Sequence, residues 1–176
     1  PYTGSSVQAC AISMDKEASK NMLKDRDVHL IPDKVVKHGA QIEEDFFPCV
    51  FKDPLGGSSI GVWLCQNQSD VAKVYQESDI AHFLVERYIE GEEITVAVHN
   101  GHAFPVISIR PKEKFFDLEA KYTKGKTDYI VPSPLPQEIC KRAQKQAMNA
   151  YEGLKMSGIA RADFIVDQHN DVYFLE

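Results

Sequence analysis

The chain has 176 residues, enough for one mid-sized domain or two small ones. Hydrophobic residues make up 43% and charged residues 26%, which excludes the disordered and fibrous classes. Twenty Lys and Arg against twenty-six Asp and Glu leave a net charge of -6 with no segregated basic stripe, which argues against a nucleic-acid partner.

The four cysteines, Cys10, Cys49, Cys65 and Cys140, form no CxxC pair. Neither a zinc knuckle nor a disulfide framework is expected, and a reducing, cytoplasmic compartment fits. No apolar run nears the ~20 residues of a membrane helix. The start at Pro1, without Met or leader pattern, and the stop at Glu176 directly after Val172-Tyr173-Phe174-Leu175 read as cuts in a longer protein.

In chain order, Ala11, Met14, Ala18 and Met22 at helical spacing predict one helix from Val7 to Leu23, closed by Asp25-Arg26-Asp27. Leu30 to Val36, Pro48 to Lys52 and Ile60 to Cys65 read as short strands, with a Gly/Ser-rich loop over residues 53–61. A helix is expected from Asp70 to Glu77. Phe83 to Ile89, Ile94 to Val98 and Phe104 to Ile109, with turns at Glu90-Gly91 and Asn100-Gly101, predict an antiparallel meander. The polar stretch from Arg110 to Tyr129 is too long for a routine connection. A helix follows from Pro136 to Leu154, with Ile139, Ala143, Ala147, Ala150 and Leu154 on one face. The last element is a hairpin, Ile159 to Val166 and Val172 to Glu176.

That hairpin carries a geometric expectation. A two-residue turn at His169-Asn170 places Asp163 directly opposite Glu176, their Cβ atoms ~4.5–5.5 Å apart on one face. Opposed carboxylates of this kind suit Mg²⁺ that also bridges to substrate phosphates. Arg161 shares the face and can take an anion. The alternative is a solvated hairpin whose charges face water.

Two weaker signals precede it. Gly56-Gly57-Ser58-Ser59 allows backbone N–H groups to approach phosphate oxygens, but without the GK[ST] ending of a Walker loop, and a plain turn is the alternative. Lys52 leaves the apolar strand just before this loop. In residues 84–93, Glu86, Glu90, Glu92 and Glu93 punctuate an apolar strand and its turn, as acceptors for ribose hydroxyls or an adenine amino group, or as surface decoration.

In their order, Pro1 to Ser6, Ser13-Met14-Asp15-Lys16, Gly57-Ser58-Ser59-Ile60-Gly61, Glu119-Ala120-Lys121-Tyr122 and Arg161-Ala162-Asp163 resemble the D-alanine-D-alanine ligase family of ATP-grasp ligases, over essentially the whole chain. The resemblance implies an α+β fold of two subdomains with mainly antiparallel sheets gripping ATP. It divides the chain into residues 1–15 (end of a preceding domain and linker), 16–92 (small subdomain) and 93–176 (large subdomain). It implies that Lys16 and Lys52 contact the phosphates, that Ser58 and Ser59 close over them, and that Glu86 with the backbone of Arg87 to Ile89 receives adenine while Glu93 holds ribose. Residues 112–129 become a lid bringing Lys121 and Tyr122 to the site. Arg161 stabilises the transferring phosphate, and Asp163 and Glu176 ligate two Mg²⁺ (or Mn²⁺) ions.

The implied reaction joins two D-alanines through D-alanyl phosphate, serving peptidoglycan synthesis. Tyr122 accompanies dipeptide formation, which disfavours D-lactate or D-serine as the acceptor; a non-catalytic nucleotide-binding module is the third alternative. Asp53 stands where the family usually has proline, and a further asparagine metal ligand is expected beyond Glu176, so this stretch alone is expected to be inactive. The resemblance also allows a homodimer of the full-length protein.

Overall fold

The computed structural model describes residues 2–58, 60–111 and 126–176. Its contacts gather into two units, Ile31–Ile89 and Pro1–Leu30 with Glu90–Glu176. Residues 16–30, assigned above to the small subdomain, thus group with the later part of the chain.

The single helix expected from Val7 to Leu23 is two, α1 (Val7–Met14) and α2 (Lys16–Leu23), broken at Asp15. Asp15 turns extended, and its carboxylate accepts the Ala18 N–H at 3.0 Å. It therefore caps α2, where a first-turn N–H has no helical partner. The Ser19 hydroxyl donates to the Ile12 carbonyl at 2.7 Å and fastens one helix to the other.

The smaller unit contains β1 (Asp33–Lys37), a 3-10 turn (Glu44–Phe46), β2 (Cys49–Lys52), β3 (Val62–Cys65), α3 (Gln68–Glu77) and β4 (His82–Arg87). Its four-stranded antiparallel sheet runs β1-β4-β2-β3. Phe51, Phe83 and Val85 form a core with Val71 and Val74 of α3, and the cross-strand partners Cys49 and Cys65 are sealed within it. The Asn67 side chain accepts the Ser69 and Asp70 N–H groups and starts α3.

The meander expected from Phe83 to Ile109 is corrected, because β4 lies between β1 and β2 and does not pair with the strand that follows it. Phe83 through Glu86 are buried without alternation. That pattern belongs to a strand covered on both faces, which short-range periodicity cannot assign to one sheet or another.

The larger unit adds β5 (Gly91–His99), β6 (His102–Ala103), β7 (Ile107–Pro111), β8 (Thr127–Ile130), α4 (Gln137–Gly153), β9 (Ile159–Asp167) and β10 (Val172–Phe174). The sheet order is β10-β9-β5-β7-β8, with β6 on β5. Asn100 and Gly101, at φ 47° and 78°, form the expected two-residue hairpin turn. Ile139, Ala143, Ala147 and Ala150 of α4 pack on Ile94, Val96, Val98, Ala162 and Phe164. Because side chains alternate along a strand, Glu93, Thr95, Arg161 and Asp163 take the opposite face of the paired strands β5 and β9. The strands approach closely where β5 begins: a Cβ on Gly91 would lie 2.2 Å from the Val166 carbonyl oxygen. Most of the expected lid, with Lys121 and Tyr122, lies outside the described residues, as does Ser59.

Candidate active site

The Asp163/Glu176 pairing arises by another route than the expected turn. β9 and β10 pair with Val166 opposite Val172 and Phe164 opposite Phe174, which leaves a three-residue loop at 168–170. Both favoured two-residue hairpin turns need positive φ at the first central residue, here His169, and one of them at the second as well. Only Asn170 supplies it, at φ 67°. Asp167 stabilises the longer loop, its Oδ1 accepting the His169 and Asp171 N–H groups at 2.8 and 2.9 Å.

Continued unchanged, that register would set Asp163 opposite Leu175. A β-bulge restores the pairing with Glu176. The Leu175 and Glu176 N–H groups both point to the Asp163 carbonyl, at 2.8 and 3.4 Å, and the Asp163 N–H donates to the Glu176 carbonyl at 2.7 Å. Two residues of one strand thus oppose one of the other, an arrangement that re-aims side chains. Asp163, Glu176, Arg161 and Lys16 all line one cavity of about 330 Å³ in the larger unit.

The Arg161 Nη2 donates to Asp163 Oδ2 at 2.7 Å, and the Thr95 hydroxyl donates to Oδ1 at 2.6 Å. The Asp163 side chain is 14% exposed and that of Arg161 is 63% exposed. Burial raises the Asp163 pKa above the ordinary carboxylate value, against the lowering effect of Arg161 and the Thr95 hydrogen bond, while the Glu176 charge raises it further. Burial pulls the Arg161 guanidinium down, but Asp163 outweighs it and the net shift is upward. A cation close to both carboxylates would relieve their mutual repulsion.

Thr95 was absent from the sequence-based site. It is the cross-strand partner of Asp163, and a threonine in a strand ordinarily reports only β propensity. The usable signal was its place two residues after Glu93, on the polar face of β5.

In the smaller unit Lys52 is buried and pairs with Glu86, Nζ to Oε2 at 2.5 Å. Their strands β2 and β4 are neighbours, so the pair is set by the sheet itself. Ser58 lies exposed in the turn before β3 with φ 54°. The Arg87 N–H donates to the Pro32 carbonyl and the Tyr88 N–H to the Pro48 carbonyl, at 2.9 and 3.0 Å, while Ile89 is half-buried. Glu93 stands on β5 opposite Ile165 and Ile109.

Among the described residues, no group of three or more His, Cys, Asp or Glu could enclose a metal ion. Two carboxylates without a third ligand suit Mg²⁺, which commonly takes one or two carboxylates and completes its shell with water and substrate phosphates. The donor set at the bulge therefore fits the group that the sequence implied.

Comparison with known proteins agrees with this architecture. The D-alanine-D-alanine ligase of Bacillus anthracis superposes with a TM-score of 0.80 at 32% identity, over 100% of this chain and 60% of that one. The structure of that enzyme complexed with ATP gives 0.78 at 30% identity, over 100% and 59%. The fold is thus that of an ATP-grasp ligase. The D-alanine-D-alanine ligase of Syntrophotalea carbinolica is 36% identical over 172 residues, covering 94% of this chain and 56% of the relative. Residues 17–176 match the family described as D-ala D-ala ligase C-terminus, and the chain belongs to that family. It spans between 56% and 60% of the length of these relatives.

Proposed function

We propose that this chain is the nucleotide- and metal-binding core of a cytoplasmic, ATP-dependent ligase that joins two D-alanines for peptidoglycan precursor synthesis. The observation that carries the reading is the bulge that sets Asp163 against Glu176 beside Arg161, in a chain whose relatives are D-alanine-D-alanine ligases.

In this reaction a carboxylate oxygen of one D-alanine attacks the γ-phosphorus of ATP, the bond to ADP breaks, and D-alanyl phosphate forms. The amine of a second D-alanine then attacks the acyl carbon. The carbon–oxygen bond to phosphate breaks, inorganic phosphate leaves, and the amine gives up a proton. Negative charge spreads over the γ-phosphoryl oxygens, so the chain must supply cations there.

Arg161 meets that charge with an exposed guanidinium on a rigid strand. Lys16, on the same cavity, and Lys52, held by Glu86, contact the phosphates. Ser58 and Ser59 close over them. Glu86 and the backbone of Arg87 to Ile89 receive adenine, and Glu93 the ribose. Lys121, as a nucleotide-binding residue, and Tyr122, as the residue that accompanies dipeptide formation, belong to the same site by the motif they share. Asp163 and Glu176 would hold two Mg²⁺ or Mn²⁺ ions, which would supply neutralisation of phosphate charge when bound.

Full-length protein given ATP, Mg²⁺ and D-alanine is expected to release phosphate and D-alanyl-D-alanine in equal amounts. Folded full-length protein that releases neither contradicts the reading, and dominance of a depsipeptide when D-lactate competes at neutral pH contradicts the acceptor assignment.

A further inference from the structure

Thr95 and Asp163 face each other across β5 and β9. The Thr95 hydroxyl lies 2.6 Å from Asp163 Oδ1 and 3.4 Å from the Ala162 carbonyl oxygen. A hydroxyl has one proton to give. At these distances it belongs to the carboxylate, because 2.6 Å is in the range of charge-assisted O–H···O⁻ bonds and 3.4 Å is beyond the usual O–H···O range. Thr95 is buried, and its β-branched side chain is stiff at χ1. The donor is therefore fixed in the body of the sheet.

We propose that Thr95 is a positioning residue that holds the Asp163 carboxylate in the orientation needed to ligate a divalent cation. The inference rests on the reading of Asp163 as a metal ligand. The two donors on this carboxylate differ in kind. Arg161 is 63% exposed, and in the proposed reaction its guanidinium turns to the transferring phosphoryl group. Among the described residues, the only other acceptor for the Thr95 hydroxyl is the Ala162 carbonyl, at 3.4 Å. The hydroxyl remains on Oδ1 while Arg161 leaves Oδ2, so the carboxylate plane is kept through the cycle and the lone pairs not used by Thr95 stay available to the cation. Outer partners of this kind orient ligating carboxylates, and their loss typically costs ~10–100-fold in metal affinity or activity.

The test is Mn²⁺ binding to the full-length protein, followed by electron paramagnetic resonance with a non-hydrolysable ATP analogue present. Thr95→Val keeps shape and β propensity but removes the proton, and is expected to weaken Mn²⁺ binding ~10–100-fold. Thr95→Ser, which restores the donor, should recover most of the affinity. Steady-state assays should show a larger rise in the Mn²⁺ concentration for half-maximal rate than fall in kcat at saturating Mn²⁺. If Thr95→Val does not fold, Thr95→Ala removes the same donor without adding a methyl group and is read identically.

Unchanged Mn²⁺ affinity in a folded Thr95→Val or Thr95→Ala protein overturns the proposal, as does Thr95→Ser as weak as Thr95→Val. Wild-type protein that binds no Mn²⁺ overturns it together with the metal-ligand reading. Mn²⁺ binding with the expected dependence on residue 95, but no phosphate release with D-alanine, leaves Thr95 in place and sinks the reaction assignment instead.

Discussion

Lys52–Glu86 in the smaller unit and Arg161–Asp163 in the larger each pair a cation with a carboxylate, under opposite conditions. Lys52 and Glu86 are sealed, with side chains 9% and 2% exposed, whereas Arg161 is 63% exposed over an Asp163 that is 14% exposed. A sealed pair cannot lose one partner without leaving a charge stranded in low dielectric. In the second pair only the cation is exposed, so the guanidinium is screened by solvent and can move to another anion while Thr95 still donates to the carboxylate it leaves. In the proposed function Lys52 and Glu86 therefore meet the nucleotide as a pre-set pair, whereas Arg161 exchanges its carboxylate partner for the phosphoryl group.

The largest expected effect lies at the Arg161–Asp163 pair. Arg161→Ala in the full-length protein should lower kcat by ~10³-fold or more, as loss of a transition-state arginine does, while costing less unfolding free energy than breaking the sealed pair. A large stability loss with little effect on kcat would break the comparison. At the sealed pair the balance reverses. Glu86→Leu should cost ~3–5 kcal/mol in urea unfolding, and Lys52→Met combined with Glu86→Leu should recover most of it, since an apolar pair strands no charge.

A smaller effect separates packing from charge. Gly91→Ala puts a methyl group against the Val166 carbonyl and should destabilise by ~1–3 kcal/mol, read from the unfolding midpoint, with no charge involved. The smallest concerns the core beneath the sealed pair. Burial pushes the Cys49 thiol up to about 11 and, with the neighbouring Cys49 and Asp70 charges, the Cys65 thiol up to about 12. Both should resist iodoacetamide at pH 8 in the folded protein and react on unfolding. Because these folded-state values are raised, their contribution to stability is complete below the ordinary thiol value of 9.0 and is lost as pH rises from there toward 11 and 12. Cys65→Ala should flatten that alkaline loss.

The sequence made visible what short-range periodicity encodes. The α4 face, the Asn100-Gly101 turn and the strands β2, β3 and β9 are all local patterns. The break at Asp15 escaped because the apolar spacing continues through it, and only the capping role of Asp15 reveals two helices. The sheet membership of β4 escaped because partner choice is non-local. At the site, Arg161, Asp163 and Glu176 were legible as charged residues at hairpin spacing, although the spacing worked only because a three-residue loop and a bulge offset each other. For Thr95 the spacing from Glu93 marks only the face of β5 it takes, and its pairing with Asp163 depends on a cross-strand register that no local pattern reports.

In the proposed function the carboxylates brought together by the bulge gather a divalent cation. Titration of Mn²⁺ into full-length protein with a non-hydrolysable ATP analogue, wild type against Asp163→Asn, tests it most directly. Wild type should bind Mn²⁺ and Asp163→Asn should lose most of that affinity while remaining folded. Equal binding by the two proteins would contradict the account.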